Sequence, residues 1–203
     1  MRAPQWLPNR LGEYYMYFSG HNSRGIAIAY APNITGPWTL THHMVVSNDN
    51  SSCHSHVGSP DVHADHMRLK IILFFHCGGK EGLRVGYKAL GGQPSLVQHS
   101  DDGLEFHEVN GPQLALADFY LRAFRYRGGV FGLCKHGNAP QAAFLVGSEA
   151  SIDGKEPFAL AGKLHLGSSR HVSVAIVGTT MYVFFSRLHS KPESILVSAV
   201  DIS

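Results

Sequence analysis

Hydrophobic positions in this chain gather into short aromatic or β-branched runs separated by polar turns. Four runs stand out: YYMYFSGH at 14 to 21, IILFFHCG at 71 to 78, GVFGLCKH at 129 to 136 and MYVFFSRL at 181 to 188. Each carries bulky residues on both faces, as a strand does when its sheet is stacked between others. Another apolar run precedes three of them: SPDVHA (59 to 64), FYLRAFRY (119 to 126) and HVSVAIVG (171 to 178). A third follows every one: GIAIAYA (25 to 31), LRVGYKA (83 to 89), AAFLVGSEA (142 to 150) and SILVSAV (194 to 200). Two units close with a turn and an aromatic, NITGPWTL at 33 to 40 and SDDGLEFHEV at 100 to 109. Units of three or four strands, returning about every 50 to 60 residues with Gly-Gly and Asp-Gly hairpin turns, predict an all-β chain and a β-propeller with four recognisable blades. A two-sheet sandwich also uses many short strands and is the competing architecture.

Composition narrows this further. At 203 residues with 44% hydrophobic content the chain can bury a full core, and one propeller domain over 1–203 is the simplest division. Only 16% of residues are charged, while 22 glycines and 10 prolines supply frequent turns, which suits short strands and not a long helical bundle. The 17 basic and 15 acidic side chains nearly cancel and form no Lys/Arg run, so nucleic acid is not an expected partner. No stretch approaches the roughly 18 apolar residues of a membrane span. The opening MRAPQWLPNR lacks the apolar core of a signal peptide, so the chain reads as cytoplasmic, or as secreted if its beginning has been cut away. Cys53, Cys77 and Cys134 are odd in number and widely spaced, and read as small core residues, not as a disulfide framework or metal knuckle. The triplets Asn33-Ile-Thr and Asn50-Ser-Ser would matter only in a secreted protein.

In YYMYFSGHNSRGIAIAYAPNITGPW, HVGSPDVH, SDDGLEF, FYLRAFRYRG and RHVSVAIVGTTMYVFFSR the chain resembles the five-bladed β-propeller glycosidases of glycoside hydrolase family 43 and their uncharacterised relatives. The resemblance spans most of the sequence and implies a carbohydrate-active propeller of a five-bladed type, of which four blades are recognisable here. It also implies three carboxylates on inner strands: a base, a general acid and an acid that tunes it. Asp61, in Ser59-Pro60-Asp61, is the inner-strand carboxylate in a matching context. Where the family carries its general acid, this chain reads Phe119-Tyr120-Leu121-Arg122, without a glutamate.

In a propeller, the inner strand of a blade starts on the face where its antiparallel neighbour ends. Inner-strand starts bring His56, Asp61, Arg122, Arg170 and His171; second-strand ends bring His21, His76, His136 and Arg187. All nine are expected at one channel mouth. Asp61, His76 and His171 are the candidate catalytic groups, and His21, His56, Arg122, Arg170 and Arg187 the candidate substrate-binding ones. A mouth rich in His and Arg with one evident carboxylate suits an acidic oligosaccharide or polysaccharide, a uronate or sulfated sugar, because guanidinium forks pair with planar anions. Strand alternation puts His63 on the face of Asp61 and sends Arg122 and Arg125 to opposite faces. His56 and His63 form a possible divalent-cation pair.

His42, His43, His54 and His66 read as solvated loop residues, Asp65-His66-Met67-Arg68 and Asp101-Asp102-Gly103 as β-turns, and Trp38 as blade packing. Three chemistries fit these residues. A hydrolase would pair Asp61 with Asp118, Glu149 or an acid from a further blade. A lyase would use His76 or His171 as base beside a uronate held by Arg122 or Arg170. A non-catalytic sugar-binding or interaction propeller would keep the blades without the acid. An exposed edge strand could also pair two copies into a homodimer.

Overall fold

A computed structural model describes residues 1–79, 92–109, 113–136 and 141–203. Four antiparallel sheets follow one another along the chain, each built of consecutive strands. The first holds β1 (Tyr14–Phe18), β2 (Gly25–Ala31) and β3 (Thr39–Ser47). The second holds β4 (Cys53–Asp65), β5 (Lys70–Gly79), β6 (Ser95–Ser100) and β7 (His107–Glu108). β8 (Arg122–Tyr126), β9 (Gly129–Lys135), β10 (Ala142–Gly147) and β11 (Ala159–Leu164) make the third, and β12 (Ser169–Val177), β13 (Thr180–Arg187) and β14 (Leu196–Asp201) the fourth. One short helix, α1 (Glu149–Ile152), sits between β10 and β11, its start closed by a Ser148–Ser151 capping box.

These strands are where the aromatic runs predict them, with one position to adjust. The strand beside β5 is β6, whereas the expected strand at 83–89 lies outside the described residues. In the first sheet the place beside β1 is taken by the first residues of the chain. Arg2 bridges Tyr14, the Ala3 N–H donates to the Glu13 carbonyl at 2.8 Å, and the Tyr15 N–H donates to the Met1 carbonyl at 3.0 Å.

Period-two alternation explains how the sheets stack. Along β5, Ile71, Leu73, Phe75 and Cys77 face one way and join Tyr15, Tyr17, Ile26, Ile28 and Phe106 in a core between the first two sheets. Ile72 and Phe74 face the other way and meet Leu121, Val130, Leu145 and Phe158 in a core between the second and third. On β9, Val130 and Cys134 belong to that core, whereas Leu133 turns to Val172, Met181, Val183 and Phe185 of the fourth sheet. A strand covered on both faces must be apolar throughout, which is why IILFF is continuous while VSVAIV is not. Among the described residues nothing gives the outer faces of the first and fourth sheets such cover. Met16, Phe18, Leu40 and Met44 on one, and Val177, Tyr182, Phe184 and Val197 on the other, are exposed.

The cysteine reading needs correction. Cys53 and Cys77 form a disulfide, with Cα atoms 5.8 Å apart, joining β4 to β5; only Cys134 remains a buried free thiol. Sequence spacing hides the pair because β4 is irregular there, its register shifting between Cys53 and Val57. The two turns read from the sequence do form. Asp65 Oδ1 accepts from the Met67 and Arg68 N–H groups, and Asp102 Oδ1 from those of Leu104 and Glu105. Gly103 sits in the left-handed region (φ 77°), and its carbonyl accepts from the buried Tyr17 hydroxyl at 2.7 Å.

Candidate functional site

The site begins with the bends in β4. A second register shift falls between Gly58 and Asp61, with Ser59 in the left-handed region (φ 54°), and beyond it the strand resumes pairing at Asp61 opposite Phe74. From there Asp61 reaches the neighbouring sheet: its Oδ2 accepts from the Ala123 N–H at 2.9 Å. His63, two residues on, shares the face as alternation requires, with Nε2 also 2.9 Å from Oδ2. Asp61 Oδ1 has no hydrogen-bond partner among the described residues.

Asp61 lines an open cleft of about 810 Å³ together with Arg122, His171, Phe184, Ser186 and Glu193. Arg122, at the start of β8, donates through Nη1 to the carbonyls of Ser59 (3.1 Å) and Leu121 (3.0 Å). Among the described residues Nε and Nη2 have no hydrogen-bond partner, and no carboxylate pairs with this guanidinium. Burial pulls its proton affinity below the ordinary arginine value, an effect that the Asp61 charge opposes. Arg125 points elsewhere, to Glu149 at 2.9 Å, so the two arginines diverge as alternation predicts.

Beside the cleft lies a smaller cavity of about 260 Å³, lined by His21, His56, Ser59, Tyr120, Arg170 and, from both sides, His171. Tyr120 adopts a left-handed backbone (φ 64°), uncommon for a bulky residue. That conformation sets its ring edge-on between two imidazoles, 4.8 Å from His76 and 4.6 Å from His171. His76 is 1% exposed and meets His56 nitrogen to nitrogen, Nε2 to Nε2 at 3.3 Å. One ring must donate and the other accept, so a hydrogen bond here needs a neutral acceptor ring. Neither Nδ1 has a hydrogen-bond partner among the described residues. Burial, then His56, Arg122 and His171, lowers the His76 pKa to about 3. His56 is lowered by burial and then His21, and His171 by burial and then Arg170. His76 lines neither cavity, and His171 is the imidazole on the cleft wall.

Of the nine residues expected at one mouth, Asp61, Arg122 and His171 line the cleft, while His21, His56 and Arg170 line the adjoining cavity with His171; His76 backs His56. Arg187 is exposed and lines neither cavity. The register of the fourth sheet shifts between Ser169 and Val172, so Arg187 ends opposite Ser169 and not opposite Arg170. His136 has a buried Nδ1 with no partner among the described residues, and it also lines neither. His56 and His63 border different cavities, and the described residues contain no group of three or more His, Cys, Asp or Glu placed to hold a metal ion. Neither proposed acid partner lies in the cleft: Asp118 is fully buried, and Glu149 holds Arg68 and Arg125 on the exposed side.

The sequence reading missed Glu193, Ser186 and Tyr120. Ser186 donates to Glu193 Oε1 at 2.7 Å, and Arg170 Nη1 lies 3.7 Å from Glu193 Oε2. Glu193 follows the Lys191–Pro192 pair in the connection after β13, a stretch that reads as plain turn chemistry. His42, His43, His54 and His66 are exposed as expected, although the first three lie on strands.

No family model matches the chain. The whole chain is 26% identical, over 234 aligned residues, to uncharacterized protein R118 of Acanthamoeba polyphaga mimivirus, and it spans 61% of that protein. Among solved structures, a thermostable family-43 glycoside hydrolase matches with TM-score 0.67 at 14% identity, over 92% of this chain and 64% of that one. An endo-1,4-beta-xylanase from Bacteroides thetaiotaomicron gives 0.64 at 16% identity, over 93% and 65%. A GH43_1 enzyme from Xanthomonas citri gives 0.64 at 14%, over 92% and 66%. The chain therefore shares the fold of family-43 propeller hydrolases and spans about two thirds of their length.

Proposed function

We propose that the cleft recognises an acidic glycan, with a sugar carboxylate or sulfate on Arg122 and sugar hydroxyls on the free Oδ1 of Asp61. The observation that carries this is the Arg122 guanidinium: it faces the cleft, partly buried, with two donor groups idle and no carboxylate paired to it among the described residues. A desolvated cation in that state gains most from a planar anion. The solved structures that share the fold are named as a glycoside hydrolase, a xylanase and a galactanase, which supports a saccharide as the ligand. In a hydrolytic reaction Asp61 is the carboxylate that orients water, and Glu193 is the other acid lining the cleft. Binding without turnover is the second reading. It is favoured by Asp61 Oδ2 being already tied to Ala123 and His63, and by Glu193 facing Arg170.

We read the four sheets as four consecutive blades of a five-bladed ring, the fifth sector lying between the fourth and first sheets. Support comes from the cores, which among the described residues join each sheet to the next but do not join the last to the first, and from the apolar outer faces of those two. The Cys53–Cys77 bond favours the secreted over the cytoplasmic alternative.

Titration of the protein with oligogalacturonides and with matched neutral galacto-oligosaccharides tests the reading. The acidic series should bind more tightly, and Arg122→Gln should weaken it by about tenfold to a hundredfold, with Arg122→Lys intermediate and thermal melts confirming that each variant folds. New reducing ends from the wild type without an unsaturated uronate product, lost in Asp61→Asn, would establish hydrolysis; no cleavage of either kind with binding intact would establish the second reading. Equal affinity for acidic and neutral sugars would refute the assignment of Arg122.

A further inference from the structure

Resting on that reading of the cleft, we propose that Arg170 is a second anion-binding residue, occupied in the free protein by Glu193, and that an acidic ligand takes Arg170 by displacing this internal carboxylate. The placement of the pair is the first reason. Arg170 lines the smaller cavity with His21, His56 and Tyr120, whereas Glu193 lines the cleft with Asp61 and Arg122; His171, next to Arg170 in the chain, lines both. The ion pair therefore spans the boundary between the two spaces.

The quality of the contact is the second reason. Arg170 and Glu193 meet through one nitrogen and one oxygen at 3.7 Å, not as a fork, and their side chains are 34% and 46% exposed. Such a pair is weak and screened by solvent. Glu193 has another donor in Ser186, so releasing Arg170 does not strand its carboxylate. Arg170 has no other carboxylate among the described residues. A planar carboxylate on a sugar can offer it two oxygens, a better match than the present single contact.

The charge of the site gives the third reason. Glu193 and Asp61 are the carboxylates on the cleft wall, and Glu193 repels any anion approaching Arg122. It thus acts against acidic ligands while it holds Arg170, and its displacement is part of binding. Specificity then depends on whether a ligand carries a carboxylate able to replace Glu193, in addition to one for Arg122.

The test is a double-mutant cycle read by calorimetric titration with oligogalacturonides and with matched neutral oligosaccharides. Glu193→Gln should tighten binding of the acidic series by about two- to fivefold and leave the neutral series unchanged. In the Arg170→Gln background the same Glu193→Gln change should give markedly less gain, and Arg170→Gln alone should weaken acidic binding. The proposal is overturned if Glu193→Gln tightens binding equally with and without Arg170, since the effect is then plain charge repulsion. A weakening by Glu193→Gln would also overturn it, because Glu193 would then be contacting the ligand. Wild-type protein that does not prefer acidic sugars would instead sink the reading of the cleft itself, a different result seen before any variant is made.

Discussion

Replacing Cys53 and Cys77 by serine together should lower stability by about 3.5 kcal/mol. The bond closes a loop with a sequence separation of 24, and the chain-entropy relation for a loop of that size gives a loss of about 12 cal/mol/K in the unfolded ensemble. At room temperature this is the quoted figure. For a chain of this length about 2–4 °C of melting temperature corresponds to each kcal/mol, so the midpoint should fall by about 10 °C. Local structure argues for a substantial share of that value. Between Cys53 and Val57 the β4–β5 ladder shifts its register, so the covalent link fastens the two strands where their pairing is irregular. Urea unfolding of oxidised protein, dithiothreitol-treated protein and the double serine variant measures the effect, and the last two should coincide. Thiol titration after denaturation without reductant should find one free thiol, from Cys134. Three thiols in the native preparation, or reduced and oxidised protein unfolding at the same urea concentration, would refute the reasoning and restore the view of Cys53 and Cys77 as simple core residues.

Two further outcomes follow from buried groups. His76 stays neutral in the fold down to about pH 3, whereas an ordinary histidine takes up its proton near 6.5; the unfolded chain therefore binds more protons in that window, and stability falls as pH drops through it and is complete above it. His76→Asn should flatten the acid limb of a pH-dependent urea series between pH 6.5 and 4, and an unchanged slope would mean that His76 is protonated in the native state. Phe74 is fully buried between the second and third sheets, so Phe74→Ala should cost about 3–5 kcal/mol, measured by the same unfolding assay, and a loss below about 1 kcal/mol would show the core there to be loosely packed.

Much of the fold was legible because strand alternation is a local signal. Every aromatic run became a strand, and the continuous IILFF run marked a sheet covered on both sides. The same rule placed His63 beside Asp61 and separated Arg122 from Arg125. What the sequence hid came from departures from regular pairing. The shift between Cys53 and Val57 concealed the disulfide, and the one between Ser169 and Val172 carried Arg187 away from the site. The left-handed backbone at Tyr120 redirects the chain where no glycine announces a turn. Glu193 had no strand periodicity to flag it, and its importance appears only once the connection after β13 is folded over the cleft.

The bare flanks of the first and fourth sheets set practical terms for handling this chain. Large contiguous apolar patches drive proteins to stick to one another and to surfaces, so concentrated solutions of the isolated chain should cloud before dilute ones do. Leu40 and Val197, both more than half exposed and outside the three cores, are the places to introduce lysine or glutamate for better solubility without disturbing either the packing or the sugar-facing side chains.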